Sequence, residues 1–66
     1  MMPINMKLKR LMDTHSLRDE HVAILLSVSA FSVAMWRKGK RPMPANLLEL
    51  LAMKLQAGPG QEKEND

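Results

Sequence analysis

Residues 17–42, LRDEHVAILLSVSAFSVAMWRKGKRP, contain two short helical patterns joined by a brief turn. The first pattern predicts a helix from about Leu17 to Leu26. Val22, Ala23 and Leu26 recur within it at helical spacing, so one stripe can face a core.

Ser16 and Asp19 predict where this helix begins. They are three residues apart, as in a capping box in which Asp replaces the usual Glu. Arg18 is the alternative first residue, since helix boundaries shift by a residue or two. Ile24 and Leu25 extend the apolar surface of the helix beyond the core stripe.

The second pattern predicts a helix over Ala30–Lys38. Ser29 suits the N-cap, because its hydroxyl can accept an early backbone N–H. Val33 and Trp36 are three apart and face the core. Gly39 follows the last turn, where a residue in the left-handed conformation often ends a helix.

Two further helices are predicted on either side of this stretch. One covers about residues 5–14, with Asn5 as its N-cap. The other has Pro44 in its first turn and runs to about Gln56. Its leucines, at positions 47, 48, 50, 51 and 55, cover more than half of its circumference, so the surplus needs another partner.

The predicted fold class is all-α, a compact arrangement of four helices with five as the upper limit. One domain is predicted over residues 1–57. Gly58-Pro59-Gly60 is expected to stop the last helix, and residues 58–66 are predicted to form a flexible, disordered acidic tail.

The charge and composition of the chain limit the classes of function that are possible. The chain of 66 residues carries a formal net charge of +3, and residues 1–57 hold nine Lys or Arg against four Asp or Glu. A basic body suits nucleic acid or an acidic membrane surface, although a merely soluble basic protein is the alternative. No cysteine is present, which excludes disulfides and thiolate metal sites. No apolar run approaches the roughly 18 residues of a membrane span, and no signal peptide is expected.

Candidate catalytic groups are few. His15 and His21 have no Cys partners, and Asp13 near His15 does not complete a metal site. Ser16 beside His15 lacks the orienting third group of a catalytic triad. We therefore expect no enzyme activity, metal, cofactor or small-molecule ligand, and no membrane partner.

The order of elements over residues 17–39 is that of a helix-turn-helix motif. Ala23 permits close approach of the two helices, and Val28 can plug the corner between them. With the string Trp36-x2-Gly39-x-Arg41-Pro42, the pattern resembles the phage Cro and repressor type (lambda-repressor-like) helix-turn-helix family. The match covers residues 17–42 closely, and the four-helix layout extends it to about residue 56. Ser27 stands where that family usually has Gly, so it must adopt a left-handed conformation.

The resemblance implies a role for each matching residue. Ser29 would cap the recognition helix and touch a phosphate, while Ala30, Phe31 and Met35 would face base edges, with Ser32 nearby. The basic run from Arg37 to Arg41 would contact phosphates, and Arg18 can hold another, although Asp19 and Glu20 beside it would repel one. The predicted DNA-binding residues are Arg18, Ser29, Ala30, Phe31, Ser32, Met35, Arg37, Lys38, Lys40 and Arg41.

The base-facing residues depart from the family pattern. Gln, Arg, Asn or Lys usually stands there to make bidentate hydrogen bonds, whereas this chain has Ala30, Phe31 and Met35. Two interpretations stay open. Specificity rests on thymine methyl groups, DNA shape and phosphate positioning, or the apolar face binds a protein, as in a small inhibitor or antitoxin.

The resemblance also implies a homodimer on an inverted repeat of double-stranded DNA. The surplus leucines of the last helix, with Ile24 and Leu25, offer the apolar surface for pairing. The expected function is that of a sequence-specific transcriptional regulator, a small phage or mobile-element repressor acting in the bacterial cytoplasm.

Overall fold

A computed structural model describes residues 2–56 of the chain. It contains four α-helices: α1 (Ile4–Thr14), α2 (Asp19–Leu26), α3 (Ala30–Lys38) and α4 (Ala45–Gln56). No β-strand occurs between residues 2 and 56. The all-α, four-helix prediction is confirmed, whereas residue 57 and the predicted tail, residues 58–66, lie outside the described residues.

The core is built from all four helices and one connection. Helix α3 packs against α1 and α2, and α4 packs against the same two helices. Met43 is buried although it lies in the connection between α3 and α4, flanked by two exposed prolines. The buried side chains are Leu8, Met12, Val22, Ala23, Leu26, Val33, Trp36, Met43 and Leu51.

The turn between α2 and α3 has the predicted geometry. Ser27 ends α2 in the left-handed conformation, with φ 58° and ψ 45°. The N–H of Val28 donates to the carbonyl of Ala23 (3.0 Å), and the Val28 side chain packs against the core. Ser29 Oγ then accepts the N–H of Ser32 (3.1 Å) and caps α3. Helices α2 and α3 with this turn form a helix-turn-helix.

The predicted N-caps of α1 and α2 are wrong. Helix α1 begins one residue earlier than Asn5, because the Pro3 carbonyl accepts the N–H groups of Met6 (3.0 Å) and Lys7 (3.1 Å). Asn5 therefore lies inside the first turn. Ser16 does not cap α2, since it has a φ of 55° and closes the end of α1.

The N-cap of α2 is Arg18, so the helix begins at Asp19, one residue after the alternative start. The backbone N–H of Arg18 donates to Nδ1 of His21 (3.2 Å). This bond satisfies one donor at the helix start in the way that a Glu side chain does in a capping box. His21 thus has a structural role that its position alone did not suggest.

Helix α4 leaves apolar surface uncovered, as its leucines predicted. Pro44 lies just before the helix instead of in its first turn, and its carbonyl accepts the N–H groups of Leu47 (3.0 Å) and Leu48 (3.3 Å). Leu51 is fully buried, whereas Leu50 is 38% exposed and Met53 63%. Over residues 2–56, the helices are too short or too polar to cross a membrane.

Candidate nucleic-acid interface

Helix α3 has one buried and one outward face. Val33 and Trp36 point into the core, as predicted from their spacing. On the other side Ala30 is exposed, Phe31 is 61% exposed, and Met35 is half-buried. An exposed face on the second helix of a helix-turn-helix is the part that can enter a major groove.

The first turn of this face carries two serines that contact each other. Ser29 Oγ donates to Ser32 Oγ over 3.0 Å and also accepts the Ser32 N–H. Because Ser32 Oγ accepts in this hydrogen bond, the hydroxyl of Ser32 can still donate to a partner outside the protein. A single hydroxyl donor can bond to many partners, so it distinguishes bases poorly.

Basic residues stand at the other end of α3. Lys38, Lys40 and Arg41, which we call the basic turn, are all exposed. Gly39 has a φ of 77°, and the N–H groups of Lys40 (2.9 Å) and Arg41 (3.4 Å) both point to the carbonyl of Met35. The chain therefore folds back beside α3, and these charges stay next to the helix.

Arg37 differs from its basic neighbours because it binds a carboxylate of the protein. Its Nε donates to Oδ1 of Asp19 (2.9 Å) and its Nη2 to Oδ2 (3.0 Å). The hydrogen bond to Asp19 raises the pKa of Arg37 above its usual value. This bidentate pair ties the last turn of α3 to the first turn of α2.

The pair changes how Arg18 and Arg37 are interpreted. Asp19 was expected to repel a phosphate from the neighbouring Arg18, but its charge is compensated by Arg37. Arg18 is exposed at the start of α2 and can point to solvent. A phosphate contact by Arg37 stays a prediction, and such a contact would compete with Asp19 for the guanidinium.

Arg41 contacts Phe31 on the outward face. Its Cζ lies 5.6 Å from the centre of the Phe31 ring, a distance at which a cation is attracted to an aromatic face. The two residues are ten positions apart, so no helical periodicity pairs them. The contact arises because Gly39 reverses the chain, and Gly39 is the one feature of the sequence pattern that points to it.

The other polar groups do not form a second site within residues 2–56. No group of three His, Asp or Glu side chains in this part of the chain is placed to bind a metal ion. No buried side-chain nitrogen or oxygen there lacks a hydrogen-bond partner. The outward face of α3 and the basic turn together form the candidate interface.

No protein-family model, curated protein or solved structure matches this chain. The likeness to repressor-type proteins stays a prediction from the motif.

Proposed function

We propose that this protein is a sequence-specific DNA-binding transcriptional regulator of the phage repressor type. The observation that carries the proposal is the exposed outward face of α3, with the basic turn folded back against it by Gly39. Inserted into a major groove, α3 would bring this turn close to the phosphates that border the groove. The bacterial cytoplasm is the location that suits such a regulator.

The proposed phosphate contacts lie at three helix ends. Lys38 and Lys40 supply positive charge at the end of α3, and Arg18 supplies it at the start of α2. Ser29 stands at the start of α3, where backbone N–H groups favour a phosphate. Each phosphate that is neutralised releases counterions, so binding would weaken steeply as salt rises.

A homodimer on an inverted repeat is part of the proposal. Leu50 and Met53 lie three residues apart on α4 and are both exposed, and Ile24 on α2 is 77% exposed. A second copy of the chain would remove such side chains from water, which stabilises the pair. Sedimentation at micromolar concentration tests this: Met53→Glu should shift the protein toward monomer, and a monomeric unsubstituted protein would refute the dimer.

Selection from a random duplex library tests the proposed function. We expect an enriched inverted repeat with half-sites about one helical turn apart. Titration at several salt concentrations should give a log–log slope of about −0.9 per phosphate contacted. Lys40→Ala should reduce that slope by about one unit, whereas Lys9→Ala on α1, which removes the same charge, should leave it unchanged. Absence of any enriched sequence would refute the proposal.

A small protein-binding module is the second candidate function. The observation that favours it is Phe31, a large apolar side chain on the outward face, near the start of α3, with 61% of its surface exposed. Binding to a protein through such a face would respond weakly to salt. Failure of the library selection, together with salt-insensitive capture of a protein that Phe31→Ala abolishes, would favour this function.

A further inference from the structure

Between Ala30 and Met35, the outward face of α3 has no side chain that reads a base with two hydrogen bonds. Bidentate contacts come from Arg, Lys, Asn or Gln. Ala30, Phe31 and Met35 make none, Ser32 offers one hydroxyl, and the guanidinium of Arg37 is bound by Asp19. Lys38 is exposed but is the last residue of α3, at the opposite end of the helix from Ala30 and Phe31. Bidentate reading beside the N-terminal turn of α3 must therefore come from a side chain outside the helix.

Arg41 is in the right place to supply it. Its guanidinium lies over the ring of Phe31, and Phe31 is the second residue of α3. The N-terminal residues of a recognition helix are the ones that contact base edges. The Phe31 ring therefore holds a planar, five-donor group next to the part of α3 that enters the groove.

We propose that Phe31 and Arg41 act as one unit that reads a thymine with a guanine at the adjacent base pair. The inference rests on the proposed DNA-binding function and deepens it. Phe31 packs on the 5-methyl group of the thymine, while Arg41 donates two hydrogen bonds to O6 and N7 of the guanine. A 5-methylcytosine presents the same methyl group and can replace the thymine.

The separation of the two side chains suits neighbouring base pairs. The guanidinium carbon and the ring centre are 5.6 Å apart, and successive base pairs are stacked about 3.4 Å apart along the helix axis. The separation is shorter than two base steps, about 6.8 Å, so the unit can contact adjacent base pairs and cannot reach bases far apart. In this arrangement Phe31 both contacts a base and positions Arg41, which was predicted from the motif to contact a phosphate.

Base analogues in the selected duplex test the unit directly. Deoxyuridine in place of the thymine removes only the methyl group and should weaken binding about fourfold. The 7-deaza analogue of guanine removes one acceptor and should weaken binding about fivefold. Both effects should occur at the same base step of each half-site.

Variants then separate the two side chains. Arg41→Ala should abolish the effect of 7-deazaguanine and retain that of deoxyuridine. Phe31→Ala should abolish the deoxyuridine effect and also reduce the 7-deazaguanine effect, because Arg41 loses the ring that holds it. Lys40→Ala is the matched control, which should weaken all duplexes and keep both analogue effects. Circular dichroism should show every variant folded, since all three side chains are exposed.

The outcomes distinguish this inference from the proposed function. Enrichment of an operator at which neither analogue matters at any thymine–guanine step would overturn the inference and leave the function standing. An Arg41→Ala variant that weakens all duplexes equally, with both analogue effects intact, would place Arg41 on a phosphate and also overturn it. Absence of an enriched operator would overturn both.

Discussion

Replacing Gly39 by alanine tests the turn that brings Lys40 and Arg41 back beside α3. Gly39 has a φ of 77°, and a Cβ built on it would lie 3.1 Å from Nδ2 of Asn5. An alanine at position 39 has two energetic costs. Its backbone must adopt the left-handed conformation, and the Asn5 side chain must move away from the new Cβ. Both penalties are read from the folded structure, so their sum can be compared with a measured stability.

The backbone penalty sets the expected magnitude. A residue other than glycine costs about 1–2 kcal/mol in the left-handed region. Alanine also restricts the unfolded chain, which offsets about 0.4–1 kcal/mol of this loss. We expect Gly39→Ala to lower the free energy of unfolding by about 1 kcal/mol, with a shift in Tm of about 4–8 °C for a domain of this size.

Urea unfolding followed by tryptophan fluorescence measures this change. Trp36 is the one tryptophan of the chain and is buried, so its emission reports exposure of the core. Asn5→Ala provides the control background, because it removes the close Nδ2 and leaves only the backbone penalty. Unchanged stability of Gly39→Ala, or complete rescue in the Asn5→Ala background, would refute the left-handed turn as the source of the loss.

Three further predictions concern the helix-turn-helix. Ser29→Ala should cost about 1 kcal/mol of unfolding free energy by removing the α3 cap, and Ser29→Gly only a few tenths; equal losses in urea unfolding would contradict the capping role. A double-mutant cycle with Asp19→Asn and Arg37→Gln should give a coupling of about 0.2–1 kcal/mol, because the pair is partly exposed; additive losses would show that the pair contributes nothing. Trp36→Ala should cost about 3–5 kcal/mol and unfold the domain; a variant with native circular dichroism would place Trp36 outside the core.

Local chemistry made α3 the most predictable element. Its cap at Ser29, its core residues Val33 and Trp36, and its end at Gly39 each depend on neighbours within one or two turns. The left-handed conformation of Ser27 was implied by the family resemblance, because Ser27 stands where that family usually has Gly. Where both partners of an interaction lie close together in the sequence, their spacing is sufficient to predict the local structure.

Competition between the end of α1 and the start of α2 explains the wrong start predicted for α2. Ser16 and Asp19 have capping-box spacing, but Ser16 is needed in the left-handed turn that closes α1. The N–H of Leu17 then donates to the Met12 carbonyl over 2.8 Å, and four residues separate the end of α1 at Thr14 from the start of α2 at Asp19. Spacing alone does not decide which of two helices uses a serine.

Contacts between residues far apart in the sequence could not be predicted from helical spacing. Asp19 and Arg37 are 18 positions apart and meet because α2 packs on α3. Met43 enters the core from a connection without periodicity. The Phe31–Arg41 contact depends on the direction in which Gly39 sends the chain. Each of these three contacts depends on how the helices pack, which spacing along the chain does not indicate.

Different residues of α3 stabilise the fold and face outward, and this separation affects how readily the protein can change what it binds. Val33 and Trp36 hold the helix to the core, Arg37 ties it to α2, and Ser29 fixes its start. None of these tasks falls to the outward positions, so substitutions there carry little penalty in folding. A library that randomises only the outward set would preserve the scaffold while altering what it recognises, so new binding preferences could arise by single steps. The positions available for such diversification are the exposed ones, which are Ala30, Phe31 and Lys38 on α3 and Arg41 just after it.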